Sequence, residues 1–315
     1  MQSLYIIGNG FDCYGHNMPT QYADFRQYLI SRFPDYQRNY GGTLEFSVQN
    51  DGSEVYDMNE VVGAIIRTID DCSKPGWGNL EECLGEGFVY AIAYENEWAF
   101  EEPQFDDDDD NSIFHSVYGN EDISNSIVGA YEMLMELFED WVHNKLGGID
   151  YRGVKKLRKR PSFKHSLFLN FNYTRTLEQM YGIKSSDICH IHGDVYDRTE
   201  DIYFGHGNDE EFEDFGEYIG ITEAFSNLKR SLRKNTTKAL KSSEDFFKRL
   251  SKVNKIYSYG FSFSDVDMPY IEAIAKMVVP AKTRWYLNEY DMKNNKNYIE
   301  TIEKFGFKLR KCKRW

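Results

Sequence analysis

The chain has 315 residues and a mass of 37.0 kDa, which suits one large or two unequal domains and excludes a peptide or a disulfide-stapled miniprotein. Its formal net charge of −14 at pH 7 argues against binding nucleic acid or an anionic membrane with the whole surface. Hydrophobic residues make up 41% of the chain, enough to fill a core, so we do not expect a disordered protein.

The first predicted element is a buried strand. The apolar run Leu4–Ile7 ends in the turn Gly8–Gly10, a pattern typical of a strand covered on both faces. Apolar residues then recur at helical spacing from Tyr22 to Phe33, and helical patterns continue through the middle of the chain, as in the stripe from Ile127 to Trp141. We expect residues 35–160 to form a mainly helical insertion.

Strand signals return after residue 160. They lie at Leu167–Leu169, Ile188–Ile191, Ile202–Phe204, Tyr257–Tyr259 and Trp285–Leu287. Helical patterns alternate with them, as in Tyr270–Val279, and this alternation predicts an α/β protein with a mainly parallel, Rossmann-like sheet flanked by helices. We assign this core to residues 1–34 and 161–315. Ligands of such sheets bind at the carboxyl ends of the strands, so the residues that follow each apolar run are the informative ones.

The cysteines and the chain start bear on the cellular compartment. Cys13, Cys72, Cys83, Cys189 and Cys312 are scattered without a Cys-x-x-Cys pair, which indicates neither a disulfide framework nor a zinc ribbon. We expect reduced thiols. The N-terminus lacks the basic start and long apolar stretch of a signal peptide, and no segment reaches transmembrane length. The sequence therefore predicts a cytoplasmic protein without a membrane partner.

Two charged runs have modest interpretations. The run Asp106–Asp110 predicts a solvated loop. A cation site is disfavoured, because adjacent aspartates cannot all converge on one ion. The segment Lys229–Lys255 is rich in Lys and Arg, and a charged helical face is its first interpretation. A local contact with a polyanion is the second, so nucleic acid is a partner only through this basic surface.

The turn Gly8–Gly10 follows a strand and lacks side chains that would keep a pyrophosphate away from the backbone. The third glycine of the dinucleotide fingerprint is absent, since Cys13 stands at that spacing, and this disfavours an ordinary NAD-dependent dehydrogenase. Taken alone, the turn is better explained as structural.

Four motifs together carry a family resemblance. They are Ile6–Asp12, Phe171–Thr174, His190–Gly193 and Gly260–Asp265. In this order they closely resemble the AbiH family, bacterial abortive-infection proteins of antiphage defence. The resemblance extends over nearly the whole chain and implies an antiphage effector.

The motif order is also similar, more distantly, to that of sirtuin-like NAD-binding domains. The residues that this similarity places at the cofactor are Gly8, Asn9, Gly10, Phe25, Arg26, Gly260, Ser262 and Asn288. It also implies catalytic roles for Asn172 and His192, although Thr174 stands where that pattern has an Asp. The paired cysteines of the sirtuin zinc module are missing, so we expect no zinc and disfavour protein deacylation.

The implied ligand is NAD or a related nucleotide, and the implied reaction is cleavage of its nicotinamide–ribose bond through an oxocarbenium-like state. Asn172 would position a water or a ribose hydroxyl, and His192 would accept the proton, since its usual pKa of roughly 6.5 suits that role. Phe11 or Phe25 would cover the ring, and Asp12 would hold a ribose or the nicotinamide amide.

Other interpretations stay open. Each residue also has a purely structural interpretation: the side chain of Asn172 would hydrogen-bond the backbone at a strand end, and His192 would be a buried histidine with its hydrogen bonds satisfied. If His190 and His192 share one face of a strand, His206 could join them on a metal, as in a metal-dependent nuclease. A nucleotide sensor without turnover is the main alternative to an NAD+ glycohydrolase. A homo-oligomer and a phage-derived trigger are the further partners that this class of effector implies.

Overall fold

The computed structural model describes residues 2–37, 44, 46–49, 54–103, 112–157, 163, 165–213, 216 and 218–312, and Asp106–Asp110 lies outside them. Its strands are β1 (Gln2–Ile7), β2 (Phe46–Val48), β3 (Glu54–Tyr56), β4 (Ser166–Asn170), β5 (Ile188–His190), β6 (Val253–Tyr259), β7 (Arg284–Leu287) and β8 (Lys308–Lys311). Its α-helices are α1 (Tyr22–Arg32), α2 (Met58–Cys72), α3 (Leu80–Glu86), α4 (Phe88–Glu95), α5 (Ser112–Asp140), α6 (Thr176–Tyr181), α7 (Thr222–Ser231), α8 (Thr236–Ser242), α9 (Glu244–Lys248), α10 (Met268–Met277), α11 (Glu289–Asn294) and α12 (Lys296–Lys304).

The chain divides into two compact units. The first comprises Met1–Gln21, Asp140–Tyr203 and Asn235–Trp315, and the second comprises Tyr22–Glu139 and Phe204–Lys234. The units therefore begin and end at other residues than the predicted core of 1–34 and 161–315 and the predicted insertion of 35–160.

The first unit contains a six-stranded sheet in the order β5-β4-β1-β6-β7-β8, with every neighbouring pair parallel. Helices α6 and α8–α12 lie between its strands along the chain. The prediction of an α/β protein with a mainly parallel, Rossmann-like sheet is confirmed. β1 lies inside the sheet between β4 and β6, which explains why its sequence is a continuous apolar run.

Side chains of β1 alternate between two apolar clusters. Leu4 and Ile6 belong to one cluster, together with residues of α10, and Tyr5 and Ile7 belong to the other. This period of two is the expected geometry of a strand, and all four residues are at most 5% exposed. Both faces of the sheet are thus covered, and the polar residues that end the strands are left at the sheet edge.

The second unit is mainly helical. It contains α1–α4, α7, nearly all of α5 and the antiparallel β2–β3 pair. The predicted stripe on α5 is buried, with Tyr131, Leu134 and Phe138 at most 1% exposed. No helix of the described chain is both long enough and apolar enough to cross a membrane.

Two predictions about local structure are wrong. The segment Ile202–Phe204 has no strand in the described structure; Tyr203 N–H instead donates to the carbonyl of His192 at 2.9 Å. The expectation of five reduced thiols fails for Cys72 and Cys83, which form a disulfide with their Cα atoms 5.6 Å apart. α2 ends at Cys72 and α3 holds Cys83, so the fold brings together two cysteines whose spacing in sequence carries no signal.

Candidate functional site

The strand order places most of the predicted site at one edge of the sheet. Numbered among the six sheet strands alone, the order β5-β4-β1-β6-β7-β8 becomes 3-2-1-4-5-6, which is the arrangement of dinucleotide-binding Rossmann folds. The chain order reverses between β1 and β6, and ligands of such sheets bind beside this reversal at the carboxyl ends of the strands. The loops after β1, β4, β5, β6 and β7 carry all the predicted site residues except Phe25 and Arg26.

The glycine turns after β1 and β6 pack directly against each other. Gly8 N–H donates to the carbonyl of Tyr259, and Gly10 N–H donates to that of Gly260, both at 3.0 Å. A Cβ on Gly8 would lie 2.4 Å from the Gly260 oxygen, and a Cβ on Gly260, whose φ is +64°, would lie 2.3 Å from the nitrogen of Phe11. These glycines therefore have a packing role. Their contact with a pyrophosphate stays a prediction.

Asn9 and Phe11 flank the second glycine and make different contacts. Asn9 is exposed, and its amide exchanges hydrogen bonds with Thr20, donating to the carbonyl at 2.9 Å and accepting from the hydroxyl at 2.6 Å. Phe11 is fully buried, with its ring centroid 4.5 Å from that of His16 and 5.5 Å from that of Tyr259. Asn9 thus secures the loop that follows, and Phe11 anchors it in the core.

Asp12 is the most deeply buried acid of this edge. Its side chain is fully buried, and Oδ2 accepts a hydrogen bond from the hydroxyl of Thr174. Burial raises the pKa of Asp12 to about 6, although hydrogen bonds from Thr174, Thr176 and Asn172 act in the opposite direction. A carboxyl with this pKa can exchange a proton near neutral pH.

Asn172 is held through its backbone and its side chain. Its N–H donates to Oδ1 of Asn170 at 3.3 Å, its carbonyl lies 3.3 Å from Nδ1 of His190, and its side chain lies close enough to Asp12 to lower the pKa of that carboxyl group. The residue is 6% exposed. The structure thus fixes the orientation of the predicted catalytic amide, and Asp12 is its acidic partner.

His192 lies in an aromatic setting beside a second buried acid. Its ring centroid is 5.0 Å from that of Phe171 and 5.6 Å from that of Tyr270. Nε2 lies 3.4 Å from Oδ1 of Asp267, whose Oδ2 accepts a hydrogen bond from Ser264 at 3.0 Å. A carboxylate at this position orients an imidazole and stabilises its protonated form.

Asn172 and His192 therefore occupy neighbouring loops with separate acidic partners. Phe171 and Tyr173, the residues on either side of Asn172, both face the His192 ring, at centroid distances of 5.0 and 6.4 Å. The Asn172 side chain instead contacts Asp12. Both predicted catalytic residues thus lie at the carboxyl edge of the sheet.

Sequence reasoning missed a charged cluster around His190. Nε2 of His190 lies 3.0 Å from Oε1 of Glu178 and 3.9 Å from Oδ2 of Asp194, and Nε of Arg175 contacts both oxygens of Asp194 at 3.0 and 2.7 Å. Burial lowers the pKa of His190, but the hydrogen bond to Glu178 and the charges of both acids outweigh it and raise the pKa above its usual value. Asp194 directly follows the motif His190–Gly193, which was an available signal, whereas Glu178 lies four residues beyond Thr174 on α6.

The loop after β6 presents one exposed hydroxyl. Ser262 is exposed, whereas Phe263 is buried and has a φ of +52° in the left-handed region. The ring of Phe263 contacts Trp285 and Tyr298, with centroids 5.8 and 4.8 Å away. Packing of this ring therefore holds the loop in a conformation that leaves Ser262 at the surface.

Asn288 caps a helix. Its Oδ1 accepts a hydrogen bond from Asp291 N–H at 2.8 Å, and its Nδ2 donates to Oδ2 of Asp291 at 2.5 Å. This is the usual arrangement of an asparagine at the start of a helix, here α11. The predicted ribose contact of Asn288 stays a prediction.

Phe25 and Arg26 belong to the second unit, where both side chains have partners. Phe25 is fully buried, with its ring centroid 5.7 Å from that of Trp77 and 5.2 Å from that of Phe138. Arg26 forms a bidentate salt bridge with Asp70: its Nε donates to Oδ1 at 2.9 Å and its Nη2 donates to Oδ2 at 2.6 Å. Their predicted role in closing over a cofactor stays a prediction.

The histidine arrangement considered for a metal does not form as expected. β5 ends at His190, so His192 lies in the following turn and the two do not share a strand face. His206 uses both ring nitrogens within the second unit: Nε2 bonds the carbonyl of Lys229 at 2.8 Å, and Nδ1 accepts from Asn208 N–H at 3.1 Å. Neither ring nitrogen of His206 is left for an ion.

Comparison with known proteins gives one result. The profile of the family described as "Bacteriophage abortive infection AbiH" matches residues 4–289. No curated protein and no solved structure matches the chain. The match includes β1, β4, β5, β6 and β7 with the loops that follow them, which are the loops that build the site. The chain therefore belongs to the AbiH family of bacteriophage abortive infection proteins.

Proposed function

We propose that this abortive-infection protein is an effector that binds NAD+ or a related nucleotide at the carboxyl edge of its sheet and cleaves the nicotinamide–ribose bond. The observation that carries the proposal is the strand order. It reverses between β1 and β6, beside the loops with Gly8–Asp12 and Gly260–Ser264, as in folds that bind dinucleotides. Asn172 and His192 follow the neighbouring strands β4 and β5 at the same edge.

The first half of the proposed reaction concerns the ribose. Water attacks the anomeric carbon while the carbon–nitrogen bond breaks and its electron pair leaves with neutral nicotinamide, so positive charge develops on the ribose ring. Asn172 would orient the water or a ribose hydroxyl. Asp12, with a pKa of about 6, is mostly ionised above pH 7 and would stabilise the developing charge.

The second half concerns one proton. Addition of water releases a proton, and His192 would accept it. Asp267, 3.4 Å from Nε2, would hold the imidazole and stabilise its charged form. The rings of Phe171 and Tyr270 beside His192 limit access of bulk water, which strengthens these electrostatic interactions.

Incubation of the purified protein with NAD+ tests the proposal. We expect release of nicotinamide and ADP-ribose, measured by chromatography, and a loss of at least about a hundredfold in rate for Asn172→Ala and for His192→Ala. Asn294→Ala and His115→Ala, which change exposed residues of the same types, are the matched controls. Full activity of both site variants would refute the assignment.

A nucleotide sensor without turnover is the second candidate. The observation in its favour is that Asn172 and His192 are only 6% and 5% exposed and each already has an acidic partner. This candidate predicts saturable NAD+ binding, measured by calorimetry, without nicotinamide release either before or after phage infection of the cells from which the protein is purified.

A further inference from the structure

We propose that Glu178, His190 and Asp194 bind one divalent transition-metal cation. Each side chain offers one ligand atom, and the three atoms lie within 4.8 Å of one another. The proposal concerns a site beside the predicted nucleotide site and does not depend on nucleotide cleavage.

The distances suit an ion at the centre of the cluster. Nε2 of His190 lies 3.0 Å from Oε1 of Glu178 and 3.9 Å from Oδ2 of Asp194. Ligands at about 2.0–2.2 Å from a metal lie roughly 3–4 Å from one another. Both distances from His190 to the carboxylates therefore match those between ligands of one ion.

The histidine is oriented as a ligand. Its Nδ1 lies 3.3 Å both from the carbonyl of Asn172 and from the side-chain nitrogen of Asn170, while Nε2 faces the two acids. Metal-binding histidines usually donate their second ring nitrogen to a carbonyl or carboxylate. In the tautomer with its hydrogen on Nδ1, His190 would donate to the carbonyl of Asn172 and leave Nε2 for an ion.

One carboxylate oxygen of the cluster is buried and unsatisfied. Oε2 of Glu178 is buried and has no hydrogen-bond partner among the described residues. An unsatisfied buried carboxylate oxygen is costly and calls for a specific partner. A bound cation would satisfy it, because a glutamate can coordinate an ion through both oxygens.

The charges also favour a cation. Glu178 and Asp194 contribute two negative charges, and Arg175, which contacts Asp194 at 2.7 Å, contributes one positive charge. An ion at Nε2 takes the place of a proton there, and with the imidazole then neutral the group around the ion keeps one net negative charge. The Arg175 contact also holds Asp194 in a fixed orientation, which reduces the ordering that an ion would have to impose.

Two of the three proposed ligands border a cavity. His190 and Asp194 line a cavity of about 520 Å³ whose wall also includes Asp197, Glu200 and Asp201. Further carboxylates on the wall would raise the local concentration of cations. The cavity therefore places an acidic surface next to His190 and Asp194.

The ligand types indicate the class of ion. One imidazole and two carboxylates suit Mn²⁺, Fe²⁺ or Zn²⁺, whereas Mg²⁺ and Ca²⁺ prefer oxygen ligands alone. The expectation of no zinc came from the missing cysteine pairs of the sirtuin module. The present cluster contains no cysteine and is a different site.

Titration of chelator-treated full-length protein with Mn²⁺, followed by electron paramagnetic resonance, tests the proposal. We expect one bound Mn²⁺ per chain and binding at least about tenfold weaker in Glu178→Gln and in His190→Gln. His115→Gln, at an exposed site, should bind like the wild type. Circular dichroism establishes that each variant is folded.

A crystal of the wild-type protein soaked in Mn²⁺ gives a second readout that needs no variant. Anomalous density between Glu178, His190 and Asp194 supports the site. The absence of saturable binding, or anomalous density only elsewhere, overturns it. Neither measurement uses a nucleotide, so failure of the metal site is distinguishable from failure of the proposed NAD+ cleavage.

Discussion

The carboxyl group of Asp12 accepts a hydrogen bond from the hydroxyl of Thr174, a residue 162 positions later in the chain. Asp12 follows β1 and Thr174 follows β4, and these strands are parallel neighbours in the sheet. The contact therefore joins two loops at the carboxyl edge. It also leaves a carboxyl group fully buried with a pKa of about 6.

Asp12→Asn should stabilise the fold at pH 8. The folded state holds the Asp12 proton more tightly than the unfolded state, with pKa values of about 6 and 3.8, so this residue makes stability fall as the pH rises between those values. Asn cannot ionise, and we expect a gain of up to about 3 kcal/mol in the free energy of unfolding at pH 8 and little gain at pH 4.

Urea denaturation at the two pH values measures this difference. Asp71→Asn, at an exposed aspartate, is the control and should have little effect at either pH. An equal effect of Asp12→Asn at pH 4 and pH 8 would contradict the assignment of a raised pKa to Asp12. If the proposed function holds, the same variant should slow NAD+ cleavage, because it removes the charge proposed to stabilise the ribose.

Gly8→Ala should destabilise the first unit. The new Cβ would lie 2.4 Å from the Gly260 oxygen, so the loops after β1 and β6 would have to separate, and we expect a loss of at least about 2 kcal/mol in unfolding free energy. At Gly153 a Cβ meets nothing within 4 Å. Thermal unfolding of Gly8→Ala and Gly153→Ala compares them, and equal stability would refute the backbone contact.

Asn288→Ala should cost about 1 kcal/mol of stability, because α11 loses its side-chain cap. Asn288→Asp should retain most of it, since an aspartate also accepts from the helix N–H groups. Chemical denaturation of the two variants distinguishes them. If both are as stable as the wild type, the cap is unimportant and the predicted ligand contact becomes the better explanation of this asparagine.

Alkylation of the denatured, unreduced protein should modify Cys13, Cys189 and Cys312 and spare Cys72 and Cys83. Mass spectrometry counts the modified thiols, and five would contradict the disulfide. The bond closes a loop across 11 positions, so replacing both cysteines by serine should lower the unfolding free energy by about 3 kcal/mol. A reduced wild type gives the matched comparison.

Local patterns predicted the sheet, and contacts distant in sequence decided the site. The apolar run Leu4–Ile7 indicates a strand buried on both faces, because a strand inside a covered sheet needs apolar residues at every position. The pattern at Ile202–Phe204 is similar, yet no strand forms there, since pairing depends on a partner that short runs do not specify.

The polar contacts of the site were beyond local prediction for the same reason. The motifs placed Asn172 and His192 at strand ends correctly. Their acidic partners, Asp12 and Asp267, come from other loops, and only the register of parallel strands brings them close. The packing of Gly8 against Gly260 likewise depends on β1 and β6 being neighbours.

A crystal structure of the protein with ADP-ribose bound is the most direct test of the proposed function. We expect the diphosphate beside the loops with Gly8–Gly10 and Gly260–Ser262, and the ribose that carried nicotinamide beside Asn172. The same complex with Asn172→Ala should retain the diphosphate position. Density for ADP-ribose away from the carboxyl edge of the sheet would contradict the account.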